Sequence, residues 1–139
     1  MSSEEKRTWI SALVGVVVPV AYLVTVLSKV PGTDVATIAY VGPMLTSIGV
    51  GIGVGIVLAI VAAMASPKDA DRTDERDREI NRRGEYVGFY VMSIAAIVPL
   101  ALAVREAPYF WIANSLYLAF TLAALVSALV KIVAYRRGM

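Results

Sequence analysis

The sequence predicts an all-α fold: a polytopic membrane protein with four transmembrane helices paired as two antiparallel hairpins and both termini in the cytoplasm. Three observations carry that prediction. Of 139 residues, 58% are hydrophobic and only 17% are charged, whereas an average soluble domain is about 45–50% apolar and about 25% charged. The apolar residues fall in four blocks of about twenty, the length that crosses a hydrocarbon core of about 30 Å. The basic residues, finally, collect in segments that share one side of such a chain.

The first span is expected over 8–27, between Lys6-Arg7 and Lys29. Its apolar run exceeds the roughly 7–15 residues of a signal-peptide core and no A-x-A site follows it, so it is expected to stay as a helix. The second span, 43–65, is expected to open at Pro43, because proline suits the first helical position, and to stop before Ser66-Pro67. The third runs over 86–104, where Arg105-Glu106 ends it. The fourth runs over 109–133, and Lys131 near its end can carry its ammonium to the interface on its own methylene stem. The whole chain, 1–139, then reads as a single four-helix transmembrane domain with a charged loop at 66–85.

Orientation follows from the bases. Lys6 and Arg7 precede span one; Lys68, Arg72, Arg76, Arg78, Arg82 and Arg83 occupy the 66–85 loop; Lys131, Arg136 and Arg137 close the chain. Those 11 of 13 basic residues lie on one side, with only Lys29 and Arg105 opposite. The positive-inside rule assigns the crowded side to the cytoplasm. Trp9, Tyr86 and Tyr135 fall at the inner ends, and Tyr40, Tyr109, Phe110 and Trp111 at the outer ends, where amphipathic rings sit best.

Within the spans, Gly49, Gly51, Gly53 and Gly55 form two overlapping G-x-x-x-G motifs on nearly opposite faces of the second helix. They are expected to pack helices closely, either inside one bundle or with one face against a second copy of the chain. Asn114 is the polar side chain most costly to expose to lipid and is expected to face a neighbouring helix. Pro19 and Pro99 each remove a backbone hydrogen bond in mid-span, so kinks are expected there. A faint echo between the halves (Pro19 and Pro99, each followed by an aliphatic run) would suit a duplicated hairpin.

Several functions are disfavoured. Cysteine and histidine are absent, which removes disulfides, thiolate or imidazole metal sites and His-based triads. No Asp, Glu or Arg lies within any span, although proton-coupled transporters place an ionisable group at depth. Small multidrug-resistance proteins share this size but carry a glutamate in the first helix, and this chain has none there. The remaining carboxylates sit on a solvated loop with nothing to desolvate them. No enzyme activity, cofactor or metal is therefore expected; the acids at Asp69, Asp71 and Asp74 lack the glycine and the terminal glutamate of an EF-hand loop.

The 66–85 loop offsets six bases with seven acids, a poor footprint for nucleic acid or anionic lipid. Asp74 with Arg78 and Glu79 with Arg83 are acid-first pairs at i,i+4, and Thr73 or Asp71 could cap a helix there. A short charged helix is expected to run into the third span near Gly84. Asp74, Glu75, Arg76, Asp77, Arg78, Glu79, Arg82 and Arg83 are the candidate partner-binding residues, a charge mosaic suited to a protein surface.

The strings Asp74-Glu75-Arg76-Asp77-Arg78-Glu79-Ile80 with Arg82-Arg83-Gly84, Phe110-Trp111-Ile112-Ala113-Asn114-Ser115-Leu116, and Lys131 through Gly138 resemble an uncharacterised family of bacterial four-helix inner-membrane proteins. Members are often encoded beside a small Cro/C1-type helix-turn-helix regulator. The resemblance covers residues 68–139. It implies a bacterial inner membrane and, by neighbourhood alone, a regulatory protein partner. Two functions remain open: docking or sequestering a cytoplasmic protein through the charged loop, and an oligomeric channel or passive transporter packed through the glycines of the second helix. The expected partners are membrane lipid, a cytoplasmic protein and further copies of the chain, with no direct nucleic acid.

Overall fold

The computed structural model describes residues 3–65 and 74–138, and what is described is all-helical. Helix α1 covers Ser3–Leu27, α2 Val41–Ala65, α3 Glu75–Ala95, α4 Ile97–Val104 and α5 Tyr109–Arg136, with a 3₁₀ turn at Val35–Thr37. Four stretches are long and apolar enough to cross a membrane: Glu4–Leu27, Val41–Ala65, Glu75–Val104 and Tyr109–Arg136. The third combines α3 and α4.

The break between α3 and α4 falls at Ala96, one turn before Pro99. Proline has no N–H for the carbonyl of Ala95, four residues back, and its ring crowds that carbonyl. The ladder resumes on either side, with Ala96 N–H donating to Met92 O at 2.8 Å and Leu100 N–H to Ala96 O at 3.2 Å. Pro19 produces no such interruption, and α1 runs unbroken through it. Helix α2 starts at Val41 rather than Pro43. Proline is tolerated there because the first four N–H groups of a helix need no intrahelical partner.

The connection from α4 to α5 is tight. Glu106 adopts φ 54, donating its N–H to Ala103 O at 3.0 Å while Ala107 donates to Leu102 O at 2.9 Å. These are the two bonds of a Schellman motif, in which the left-handed position is usually glycine. On the same side of the molecule, Asp34 caps the 3₁₀ turn by accepting from Ala36 N–H at 3.1 Å.

Helix α5 is central and packs against α1, α3 and α4, while α2 rests mainly on α1. Burial concentrates at the two ends. At one end Tyr22, Val26, Ile38 and Phe110 form a core; at the other, Ile80, Ala134 and Tyr135 do. Elsewhere large apolar side chains face outward: Leu13, Ile94 and Phe89 are all more than three-fifths exposed, and α2 has no buried residue. In water such a surface would be untenable for a monomer. In lipid it is the normal outer face of a spanning helix.

Candidate functional site

The site is built where α3 begins, because its first turns are charged and must be held by something. Asp74 is the N-cap: its carboxylate accepts the Asp77 N–H at 2.7 Å, and the Asp77 carboxylate accepts the Asp74 N–H at 3.4 Å, closing a capping box. Such reciprocal bonds satisfy two otherwise orphaned donors. The other Asp77 oxygen accepts the Tyr135 hydroxyl at 2.8 Å, and Asp77 is buried. Arg76 donates to Tyr135 O at 3.3 Å and lies over the same ring, 5.9 Å from its centroid. Ile80, one turn on, is buried against Ala134 and Tyr135. The start of α3 is thereby pinned to the last turn of α5.

The amino-terminal turn of α1 joins the same end. Glu4 accepts from Arg7 at 3.3 Å and from Asn81 Nδ2 at 3.4 Å, and Arg136 lies 5.7 Å from the Trp9 ring. Lys131 crosses the face of Gly84 to pair with Glu85. The ammonium is thus bound sideways to α3, beyond the simple lift to the interface that its stem permits.

The outward face of α3 carries Glu75, Arg78, Glu79, Arg82 and Arg83, all exposed. Glu79 pairs with Arg82 at 2.8 Å. Asp74 and Arg78 form no ion pair: the Asp74 carboxylate is engaged at the cap instead. Of the eight charged residues singled out in the sequence, Asp74, Arg76 and Asp77 are held at the cap or against α5, while Glu75, Arg78, Glu79, Arg82 and Arg83 are exposed. The alternative caps Asp71 and Thr73 lie outside the described residues.

Two grooves flank α5. One, of about 670 Å³, opens between α1 and α3, with Glu4, Arg7, Asn81, Glu85 and Lys131 at its polar end and Phe89, Met92 and Phe120 at its apolar end. The other, about 660 Å³, lies between α1, α2 and α5 and is almost wholly apolar, with Ser11, Ser47, Tyr117 and Thr121 as its few polar side chains. Ser47 Oγ and the Tyr117 hydroxyl are 3.1 Å apart there. Asn114 is buried, accepting from the Tyr22 hydroxyl at 2.7 Å and donating to Phe110 O at 2.8 Å. It ties α1 to α5.

Within one copy of the chain, the four glycines of the second span have few close neighbours. A Cβ at Gly51 would meet Val18 Cγ1 at an ordinary 3.7 Å, and one at Gly49, Gly53 or Gly55 would meet nothing within 4 Å. Gly49 and Gly53 are exposed, while Gly51 and Gly55 are half-buried and line the apolar groove beside α1. The close approach occurs at a third G-x-x-x-G, Gly84 and Gly88 on α3. A Cβ at Gly84 would lie 2.5 Å from Lys131 Cγ and Cε, and one at Gly88 3.1 Å from Ser127 Cβ and 3.3 Å from Ala123 O. That spacing was visible in the sequence, but it sits beside a charged segment and is easily overlooked. The Tyr135–Asp77 bond, across 58 residues, has no local signal at all.

Among the described residues no cluster of three or more Asp, Glu, His or Cys is arranged to hold a metal. The site offers instead a fixed, charged helical surface beside an amphipathic groove. No known protein family, curated protein or solved structure matches the chain.

Proposed function

We propose that this is a non-enzymatic, multi-pass protein of the bacterial inner membrane that docks a cytoplasmic protein on the outward face of α3. In this reading the four spans form two antiparallel hairpins with both termini in the cytoplasm. Falling positions on α5 meet rising positions on α3 (Tyr135 with Asp77, Lys131 with Gly84, Ser127 with Gly88), which supports the second hairpin. The clustering of 11 of 13 bases supports the cytoplasmic placement.

The observation that carries the docking reading is the pinning of α3. Asp77 and Ile80 anchor one face on α5, so Glu75, Arg78, Glu79 and Arg82 are presented in one fixed geometry. A preorganised charged surface loses less entropy on binding than a free loop and gains specificity from its charge pattern. A small helix-turn-helix transcription regulator is the partner that the family resemblance offers.

The test is a crosslinking pull-down from native membranes with the intact chain and with a Glu75→Arg, Arg78→Glu, Glu79→Arg, Arg82→Glu variant, in which Asp74, Arg76, Asp77 and Ile80 are untouched. A cytoplasmic protein captured by the intact chain alone supports docking. Equal recovery of every cytoplasmic protein by both forms refutes it. The chain has no cysteine, so single cysteines introduced at Glu75 and at Glu106 also report topology: the first should label only from the cytoplasmic side, the second only from outside.

A second reading, an oligomer with a path between copies, draws on the outward glycines of α2. It predicts a stable oligomer and solute flux in liposomes.

A further inference from the structure

The groove between α1 and α3 has a chemistry that the docking surface does not use. Its polar end holds two acids, Glu4 and Glu85, and two bases, Arg7 and Lys131, with Asn81 among them. Its other end is Phe89, Met92 and Phe120. From Lys131 to Phe120 along α5 is about 16 Å at the helical rise of about 1.5 Å per residue, close to half of the roughly 30 Å hydrocarbon core. The groove is therefore about one leaflet deep. A spanning helix of a partner would need twice that length, whereas a lipid of one leaflet fits it.

We infer that this groove binds a phospholipid of the cytoplasmic leaflet whose headgroup carries both a phosphate and a primary ammonium, as in phosphatidylethanolamine. The acyl chain lies along Phe89, Met92 and Phe120. The phosphate meets Arg7 and Lys131, and the ammonium meets Glu4 and Glu85. The bases have donors to give: Arg7 uses one of five on Glu4, and Lys131 one of three on Glu85. Arg7 and Glu85 reach outward, at 44% and 74% side-chain exposure, while Lys131 and Glu4 sit deeper at 15% and 16%. A lining of zero net charge favours a zwitterion; a purely anionic headgroup would be repelled by the two carboxylates it cannot satisfy. At about 670 Å³ the space falls within the usual range of ligand sites, about 300–1,000 Å³. The inference rests on the membrane placement proposed above, and is independent of protein docking.

The test uses the full chain purified from membranes, equilibrated with equal amounts of phosphatidylethanolamine and phosphatidylglycerol, and read by native mass spectrometry. The wild type should retain one lipid, preferentially phosphatidylethanolamine. Lys131→Met should weaken retention about tenfold, the effect of removing a charged hydrogen bond. Glu4→Gln with Glu85→Gln should reverse the preference toward phosphatidylglycerol, a change that mere loss of structure would not produce. Met92→Trp, which fills the apolar end without altering charge, should reduce retention of both lipids. Preference of the wild type for phosphatidylglycerol, no retained lipid, or retention unaffected by Met92→Trp would each overturn the inference. Lipid retention without protein capture would refute docking alone, and the converse would refute this groove alone.

Discussion

Gly84 offers the sharpest test of how the helices are held. Adding a Cβ there places it 2.5 Å from Lys131 Cγ and Cε and 3.0 Å from Cδ. The whole stem must leave its track, not only its tip. Overpacking of this kind costs about 1–3 kcal/mol. Loss of the Lys131–Glu85 pair adds only about 0–1 kcal/mol, because Glu85 is 74% exposed. Alanine is a better helix former than glycine by about 1 kcal/mol, which offsets part of this. Gly84→Ala should therefore destabilise the chain by about 0–3 kcal/mol, centred on about 1.5 kcal/mol. Gly53→Ala is the control: nothing lies within 4 Å of its Cβ position, so it should be neutral or stabilising by up to about 1 kcal/mol. Reversible unfolding in mixed micelles, titrated with a denaturing detergent and followed by far-ultraviolet circular dichroism, measures both. A larger cost for Gly53→Ala than for Gly84→Ala would refute this packing. That order would put the tightly packed glycine face on α2, between copies of the chain.

Other perturbations have equally definite outcomes. Tyr135→Phe leaves the buried Asp77 carboxylate without its 2.8 Å donor; it should cost about 1–3 kcal/mol and show first as faster hydrogen exchange over residues 75–83. A double-mutant cycle of Tyr22→Phe with Asn114→Leu should give a coupling of about 0.6–2 kcal/mol, the range of interhelical hydrogen bonds in membranes. Glu106→Gly removes a side chain from a left-handed position, φ 54, and should raise stability by about 1 kcal/mol in the same micelle titration. The four-residue charge reversal on α3 should leave unfolding within about 1 kcal/mol of wild type, so a lost partner would report a lost surface and not a lost fold.

Much of the architecture was legible because lipid imposes a constraint that a short window of sequence can express. A spanning segment must satisfy its own backbone, so about twenty uncharged apolar residues suffice to announce a helix. The four spans, the charged helix leading into the third and the consequence of Pro99 all follow from local composition or from one missing N–H. The glycines of α2 show the limit of that reasoning. Their spacing makes close packing feasible, but whether a neighbour arrives is decided by where the other helices go. Within one copy of the chain α5 takes the central place, and the close approach comes at Gly84 and Gly88.

The sequence by itself thus determined the number of long apolar spans and their approximate ends, since each depends on the solvent that a segment can tolerate. Only the tertiary structure decided which charges are available. Asp77 and Glu79 are two residues apart on one helix and look alike in sequence. Asp77 is buried under the Tyr135 hydroxyl, while Glu79 stands in solvent with Arg82. The difference comes from α5, a helix whose last turn is 58 residues away, and no local pattern encodes a contact at that distance. The same holds for the amphipathic groove, whose four charges come from three helices and meet only when α1 and α3 settle on either side of α5.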